Sequence, residues 1–214
     1  MTDRFTAAIR RLPLVAILRG IKPHEAAAIG GALAARGFTM IEVPLNSPEP
    51  LASIEALRKA LPANILVGAG TVIRQSDVGQ VHAAGGELIV MPHCDVKVIA
   101  AAKAQGIAAL PGVATSTEAF AGLAAGADAL KLFPAELITP AVVKAMLAVL
   151  PKGTVTLPVG GITPEAMASY VQAGAMGFGL GSALYKPGMS AEEVDARAAL
   201  FIAAWKRLSA AATE

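Results

Sequence analysis

Apolar and polar positions along this chain follow two alternating periods. Alanine-rich stretches with helical spacing of apolar residues end in glycine, and a short apolar run follows each. The pattern occurs as Arg36-Gly37 before Phe38-Thr39-Met40-Ile41-Glu42-Val43, and as Ala84-Gly85 before Leu88-Ile89-Val90-Met91. It recurs as Gln105-Gly106 before Ile107-Ala108-Ala109-Leu110, as Ala125-Gly126 before the run through Lys131, and as Ala173-Gly174 before Gly177-Phe178-Gly179-Leu180. Glycine suits the left-handed position just past a helix. Pro23, Pro50, Ser76, Thr117, Pro140 and Pro164 suit helix starts. Adding Leu14 to Arg19, Ile65 to Gly70 and Val155 to Val159 gives eight strands alternating with helices. Alternating βα units predict an α/β protein with a parallel sheet, and eight of them in one short chain predict a closed (β/α)8 TIM barrel. A doubly wound open sheet is the other arrangement. A single domain over residues 1–214 is expected, with a short charged helix within Met1 to Leu12.

Composition narrows the function. The chain is 55% hydrophobic and 16% charged, against a usual charged share of about 25%. That predicts a large core and a surface partly buried in an oligomer. A net charge of +2, with no basic run and 4% aromatic residues, gives no footprint for nucleic acid or an anionic membrane. One cysteine, Cys94, excludes an intrachain disulfide and a cysteine-based zinc cluster. No apolar run approaches the ~18 residues of a membrane span, and the N-terminal stretch has no long apolar segment, so a cytoplasmic protein is expected.

One apolar run carries a lysine. In Asp128-Ala129-Leu130-Lys131-Leu132-Phe133-Pro134, alternation puts Ala129, Lys131 and Phe133 on one face and Leu130 and Leu132 on the other. Pro134 ends the run because it offers no N–H to a ladder. A lysine there either snorkels to water or is desolvated, which favours the neutral, nucleophilic amine. Lys59, Lys97, Lys103, Lys144 and Lys206 fall in helical or turn-like stretches and are expected to be solvated.

In a barrel, chemistry collects at the C-terminal strand ends. Those ends hold Arg19, Glu42, Thr71, Pro92 with His93, Pro111, Lys131, the Gly160-Gly161 pair and Gly181-Ser182. Glu42, on the Met40 face of its strand, is either a buried partner of Lys131 or the group that moves protons for it. Arg19 is a solvated strand-end cation or an anion clamp. The two glycine loops after the last two strands fit a phosphate site, since exposed N–H groups can approach an oxyanion there. Thr71 either caps the next helix or donates a hydroxyl to a carboxylate. His93, Cys94 and Asp95 are consecutive and rarely converge on one ion, so no metal is assigned. His24 and His82 are expected to be exposed.

Ile17-Leu18-Arg19-Gly20, Ile41-Glu42-Val43-Pro44-Leu45-Asn46-Ser47-Pro48, Gly68-Ala69-Gly70-Thr71-Val72, Leu130-Lys131-Leu132-Phe133-Pro134 and Val159-Gly160-Gly161-Ile162 occur in that order. From about Leu12 to about Leu208 the chain resembles the class I 2-keto-3-deoxy-6-phosphogluconate/galactonate aldolases, more closely the galactonate branch. The resemblance implies a (β/α)8 barrel, a homotrimer and no cofactor or metal. It puts the Schiff-base lysine on Lys131, the acid/base glutamate on Glu42 and a carboxylate-binding threonine on Thr71. It also puts the phosphate contacts on Arg19, Gly160, Gly161, Gly181 and Ser182, and the pocket floor beside Pro92. The implied substrate is a phosphorylated keto-deoxy sugar acid, with pyruvate and glyceraldehyde 3-phosphate as products. Two departures from the gluconate branch stand out: Asn46 where that branch has arginine, and Val159 where it has threonine. A third departure is His93 after Pro92, where related sequences often have glycine or asparagine. The gluconate C4 epimer is the alternative substrate. A phosphosugar isomerase or epimerase explains the glycine loops but leaves Lys131 without a covalent role. In a non-catalytic phosphate-binding barrel or structural trimer, Lys131 and Glu42 are simply a buried pair.

Overall fold

The computed structural model describes residues 2–211. Met1, at the head of the expected N-terminal helix, and residues 212–214, at the end of the expected domain, lie outside them. The chain opens with α1 (Asp3–Arg11), started by Thr2, whose hydroxyl accepts from the Phe5 N–H. There follow β1 (Leu14–Ile17), α2 (Pro23–Ala35), β2 (Met40–Pro44), α3 (Pro50–Ala60), β3 (Leu66–Gly70) and α4 (Gln75–Ala83). Next come β4 (Leu88–Val90), α5 (Val96–Ala104), β5 (Ala108–Leu110), β6 (Gly112–Val113), α6 (Ser116–Ala124) and β7 (Leu130–Leu132). The last are α7 (Pro140–Leu147), β8 (Thr156–Pro158), α8 (Met167–Gln172), β9 (Phe178–Leu180) and α9 (Ala191–Ala211).

The glycine punctuation has the expected cause. Gly37, Gly85, Gly106, Gly126 and Gly174 all have positive φ, from 70° at Gly106 to 102° at Gly174, and each turns a helix end into the next strand. Prolines open α2, α3 and α7. Pro164 does not open a helix: the Ala166 N–H donates to the Thr163 carbonyl, the segment is a turn, and α8 starts at Met167. Proline's fixed φ suits a turn as well as a first helical turn. The strands are also shorter than the apolar runs. Arg19, Met91 and Val159 lie just past β1, β4 and β8.

Hydrogen bonding joins the strands into two parallel sheets, β5-β4-β3-β2-β1-β9 and β6-β7-β8. The fifth apolar run continues beyond its expected end. It changes partner at Pro111, which has no N–H to donate: β5 pairs with β4, and β6 pairs with β7. A parallel bridge between Val159 and Gly179 links the end of β8 to β9.

Alternation along the strands divides the core. Leu130 and Leu132 join a large cluster with helix residues such as Ile29, Leu33, Ile54 and Val143. Ala129 joins a smaller cluster with Val15, Met40, Leu66, Leu88, Val90, Leu110 and Leu157, into which α1 inserts Phe5, Ala8 and Ile9. Lys131 and Glu42 therefore share the face of the small cluster, buried at 6% and 2% exposure.

Candidate active site

The loops after β1 and β2 build one wall together. Gly20 turns the chain after Arg19, and its N–H donates to Ser47 Oγ at 2.9 Å. Arg19 Nη1 donates to Asn46 Oδ1 at 2.7 Å. The Asn46-Ser47 pair thus holds both the backbone and the side chain of the Arg19 turn. The contact of Asn46 is not legible in the sequence, because it spans 27 positions.

A cavity of about 590 Å³ opens beside this wall, within the usual range for a small-molecule site. It brings together Arg19, Lys131, Val159, Gly160, Gly161, Gly181 and Ser182. Glu42 borders a second cavity of about 10 Å³, shared with Lys131, Val159 and Gly179. That volume is close to one water-sized probe. Thr71 and Pro92 lie at the ends of β3 and β4, half-buried, and border neither cavity. Thr71 is not the helix cap, since α4 starts from Arg74; its φ of 56° is strained for a β-branched residue. Pro92 packs its carbonyl against the Gly112 backbone, where a Cβ would lie 2.6 Å from it.

The two ionisable groups are both pushed toward their neutral forms. Burial holds the Lys131 ammonium below the ordinary lysine value; the Glu42 carboxylate opposes this and the Arg19 charge adds to it. Burial raises the Glu42 carboxyl above its ordinary value, against the pull of Lys131 and then Arg19. Desolvation outweighs the mutual attraction in each. The Phe133 ring stands 4.8 Å from Lys131 Nζ and covers one side of it. Glu42 itself fits only because the neighbouring β3 carries Gly70, two residues past its register partner Gly68: a Cβ there would lie 1.4 Å from Glu42 Oε2.

Several cavity residues left no mark in the sequence. Glu136 lies against the glycine pair, its Oε2 2.3 Å from where a Gly160 Cβ would stand. Tyr185 is buried, its phenol pushed up to about 12 by burial and then by Glu25. Arg197 comes from α9. Proximity to Lys131 in the chain was the sole available signal for Glu136, and Arg197 had none. Of the lysines expected in solvent, Lys103 is half-buried and paired with Asp128 at 2.6 Å, because it lies over the buried carboxylate that also accepts from the Ala109 N–H. Asp95 caps α5 through the Lys97 N–H, and His24, His82 and His93 are exposed. Among the described residues no group of three or more His, Cys, Asp or Glu is placed to hold a metal ion, and no helix is long and apolar enough to cross a membrane.

The arrangement is thus a desolvated lysine on a glycine-walled cavity, with a buried carboxyl behind it on the same small inner cavity, in a parallel α/β fold; an amine so placed can add to a carbonyl. Residues 5–200 match the family described as KDPG and KHG aldolase, and the chain belongs to that family. It is 47% identical over 203 residues to the probable 2-dehydro-3-deoxy-6-phosphogalactonate aldolase of Rhizobium meliloti (strain 1021), covering 95% of this chain and 96% of that one. It is 46% identical over 196 residues to the 2-dehydro-3-deoxy-6-phosphogalactonate aldolase of Escherichia coli (strain K12), covering 92% and 96%. A solved structure described as native KDPGal superposes with a TM-score of 0.91 at 45% identity, covering 93% of this chain and 97% of that one.

Proposed function

We propose that this chain cleaves 2-dehydro-3-deoxy-6-phospho-D-galactonate to pyruvate and D-glyceraldehyde 3-phosphate through a Schiff base on Lys131. The observation that carries the reading is the buried Lys131 amine, held below its ordinary pKa, sharing a small inner cavity with the Glu42 carboxyl, itself raised by burial, and open to the 590 Å³ cavity. The neutral Nζ adds to the C2 ketone and forms a carbinolamine. Glu42 acts as the acid that protonates the departing hydroxyl; water leaves, a protonated imine remains and Glu42 is left as the carboxylate. The Glu42 carboxylate then takes the C4 hydroxyl proton through a water. Electrons of the C3–C4 bond flow into the imine, C4 becomes the aldehyde of glyceraldehyde 3-phosphate, and an enamine is left. Protonation at C3 and hydrolysis release pyruvate and return the free amine. The imine is the electron sink, so the scheme closes without a cofactor.

Arg19 and the Gly160-Gly161 and Gly181-Ser182 turns bind the phosphate in this reading. The family resemblance assigns the carboxylate end to Thr71 and the Pro92 floor, which border neither cavity here. Val159, buried and bordering both cavities, supplies an apolar wall beside C4, which supports the galactonate epimer over the gluconate one. The two sheets close into one (β/α)8 barrel domain in this proposal. The Val159–Gly179 bridge and the shared Pro111 junction support closure. A cytoplasmic homotrimer completes it. The low charged fraction and exposed apolar side chains such as Ile73, Phe120 and Leu137 support burial between subunits.

The test is pyruvate trapping. Pyruvate with borohydride is expected to label Lys131 irreversibly, read by peptide mass mapping, and pyruvate release is followed with lactate dehydrogenase. A label on another lysine, or none with activity intact, overturns the mechanism.

A further inference from the structure

We infer that Arg197 is a positioning residue for the anion-binding turn after β9, an inference that rests on the phosphate reading of the cavity. Its Nη1 donates to the Ser182 carbonyl at 3.2 Å and to the Ala183 carbonyl at 3.4 Å. The neighbouring Gly181 carbonyl accepts from the Leu184 and Tyr185 N–H groups at 2.9 and 3.0 Å. All three carbonyls of the turn are therefore occupied by donors within the protein. A trans peptide points its C=O and the following N–H in opposite directions. Holding the Gly181 and Ser182 carbonyls turns the N–H groups of Ser182 and Ala183 the other way, and both residues line the cavity. Carbonyl oxygens facing an arriving phosphate would repel it. Arg197 removes that repulsion by capping two of them with a cation.

The guanidinium is well placed to do this. It is half-buried, lines the same cavity, and Nη1 serves both carbonyls, leaving further donors on a fixed plane. Its helix is anchored in the turns just before Arg197. Ser190 and Glu193 bond reciprocally at the start of α9, and Asp195 pairs with Arg36 at the end of α2. Arg197 is thus delivered to the turn by a fixed support rather than by a mobile loop.

The experiment compares kcat and KM for the phosphorylated keto-deoxy acid and its unphosphorylated counterpart in wild type, Arg197→Met, Arg197→Gln and Arg197→Lys, with Tm for each. Met keeps the apolar stem; Gln keeps a neutral donor; Lys keeps the charge. The expected result for Met is a rise in KM for the phosphorylated acid and a fall of about tenfold or more in the preference for it, the size of one charge-assisted hydrogen bond. Gln and Lys are each expected to restore part of that preference. Equal losses on both substrates, tracking Tm, or an unchanged KM for the phosphorylated acid in Met overturns the proposal. If Met fails to fold, the comparison of Gln with wild type decides, with an unchanged preference again counting against it. Wild type that releases no pyruvate from the phosphorylated acid refutes the aldolase reading instead. In that event, competition by inorganic phosphate against a bound anion probe, weakened by Arg197→Met or not, decides the role of the turn.

Discussion

Gly70→Ala is the sharpest perturbation of the proposed proton-transfer group, because it leaves Glu42 and Lys131 in the sequence. A Cβ at this position would lie 1.4 Å from Glu42 Oε2 and 2.6 Å from Cδ. Rotating the carboxyl about its last bond relieves the first contact but not the second, so the side chain must move as a whole. Return to ordinary contact at about 3.4 Å moves the oxygen by about 2 Å. A misplacement of about 1 Å costs on the order of 10²-fold in a positioned reaction, and a proton-transfer group contributes about 10²–10⁴-fold. The kcat for aldol cleavage is therefore expected to fall at least about 100-fold. Trapping of pyruvate on Lys131 persists, because the lysine lies on β7 and the new methyl on β3. Steady-state kinetics, borohydride trapping and Tm are measured on the same preparation. A kcat within about tenfold of wild type in folded protein refutes the reasoning, since it means the carboxyl works equally well from a displaced position.

Glu42→Gln is expected to lower kcat by about 10²–10⁴-fold while leaving slow imine formation. It removes the one charge that raises the Lys131 pKa, so the ammonium loses its proton at lower pH. Trapping still rises with pH below the ordinary lysine value, but its acid limb moves to lower pH; a shift to higher pH contradicts the assigned electrostatics. Val159→Thr places a hydroxyl beside C4 and is expected to move the kcat/KM ratio of the two C4 epimers toward the gluconate form. Wild type itself should prefer the galactonate form by about tenfold to a few hundredfold, the range for small apolar contacts. A wild-type preference for the gluconate epimer contradicts the substrate assignment.

The features legible in the sequence are those set by neighbours in the chain. Glycine after each helix, proline or a small polar residue before it, and alternation within a strand all act within a few residues, so Gly37, Gly126 and the two faces of the Lys131 strand could be read directly. That same alternation put Lys131 and Glu42 on the apolar face, and burial then pushes both toward their neutral forms. Other features exist only once distant segments meet. Asn46 reaches Arg19 across 27 positions, and Arg197 reaches Ser182 across 15. The clearance at Gly70 that admits the Glu42 carboxyl is likewise a property of two adjacent strands, not of either run alone. Pro164 shows the converse: a residue equally at home in a turn and in a first helical turn leaves the choice to its surroundings. Local patterning determined which face of its strand each side chain occupies. Packing between strands and helices decided which of them share a cavity, because a cavity is bounded by residues that no local rule connects.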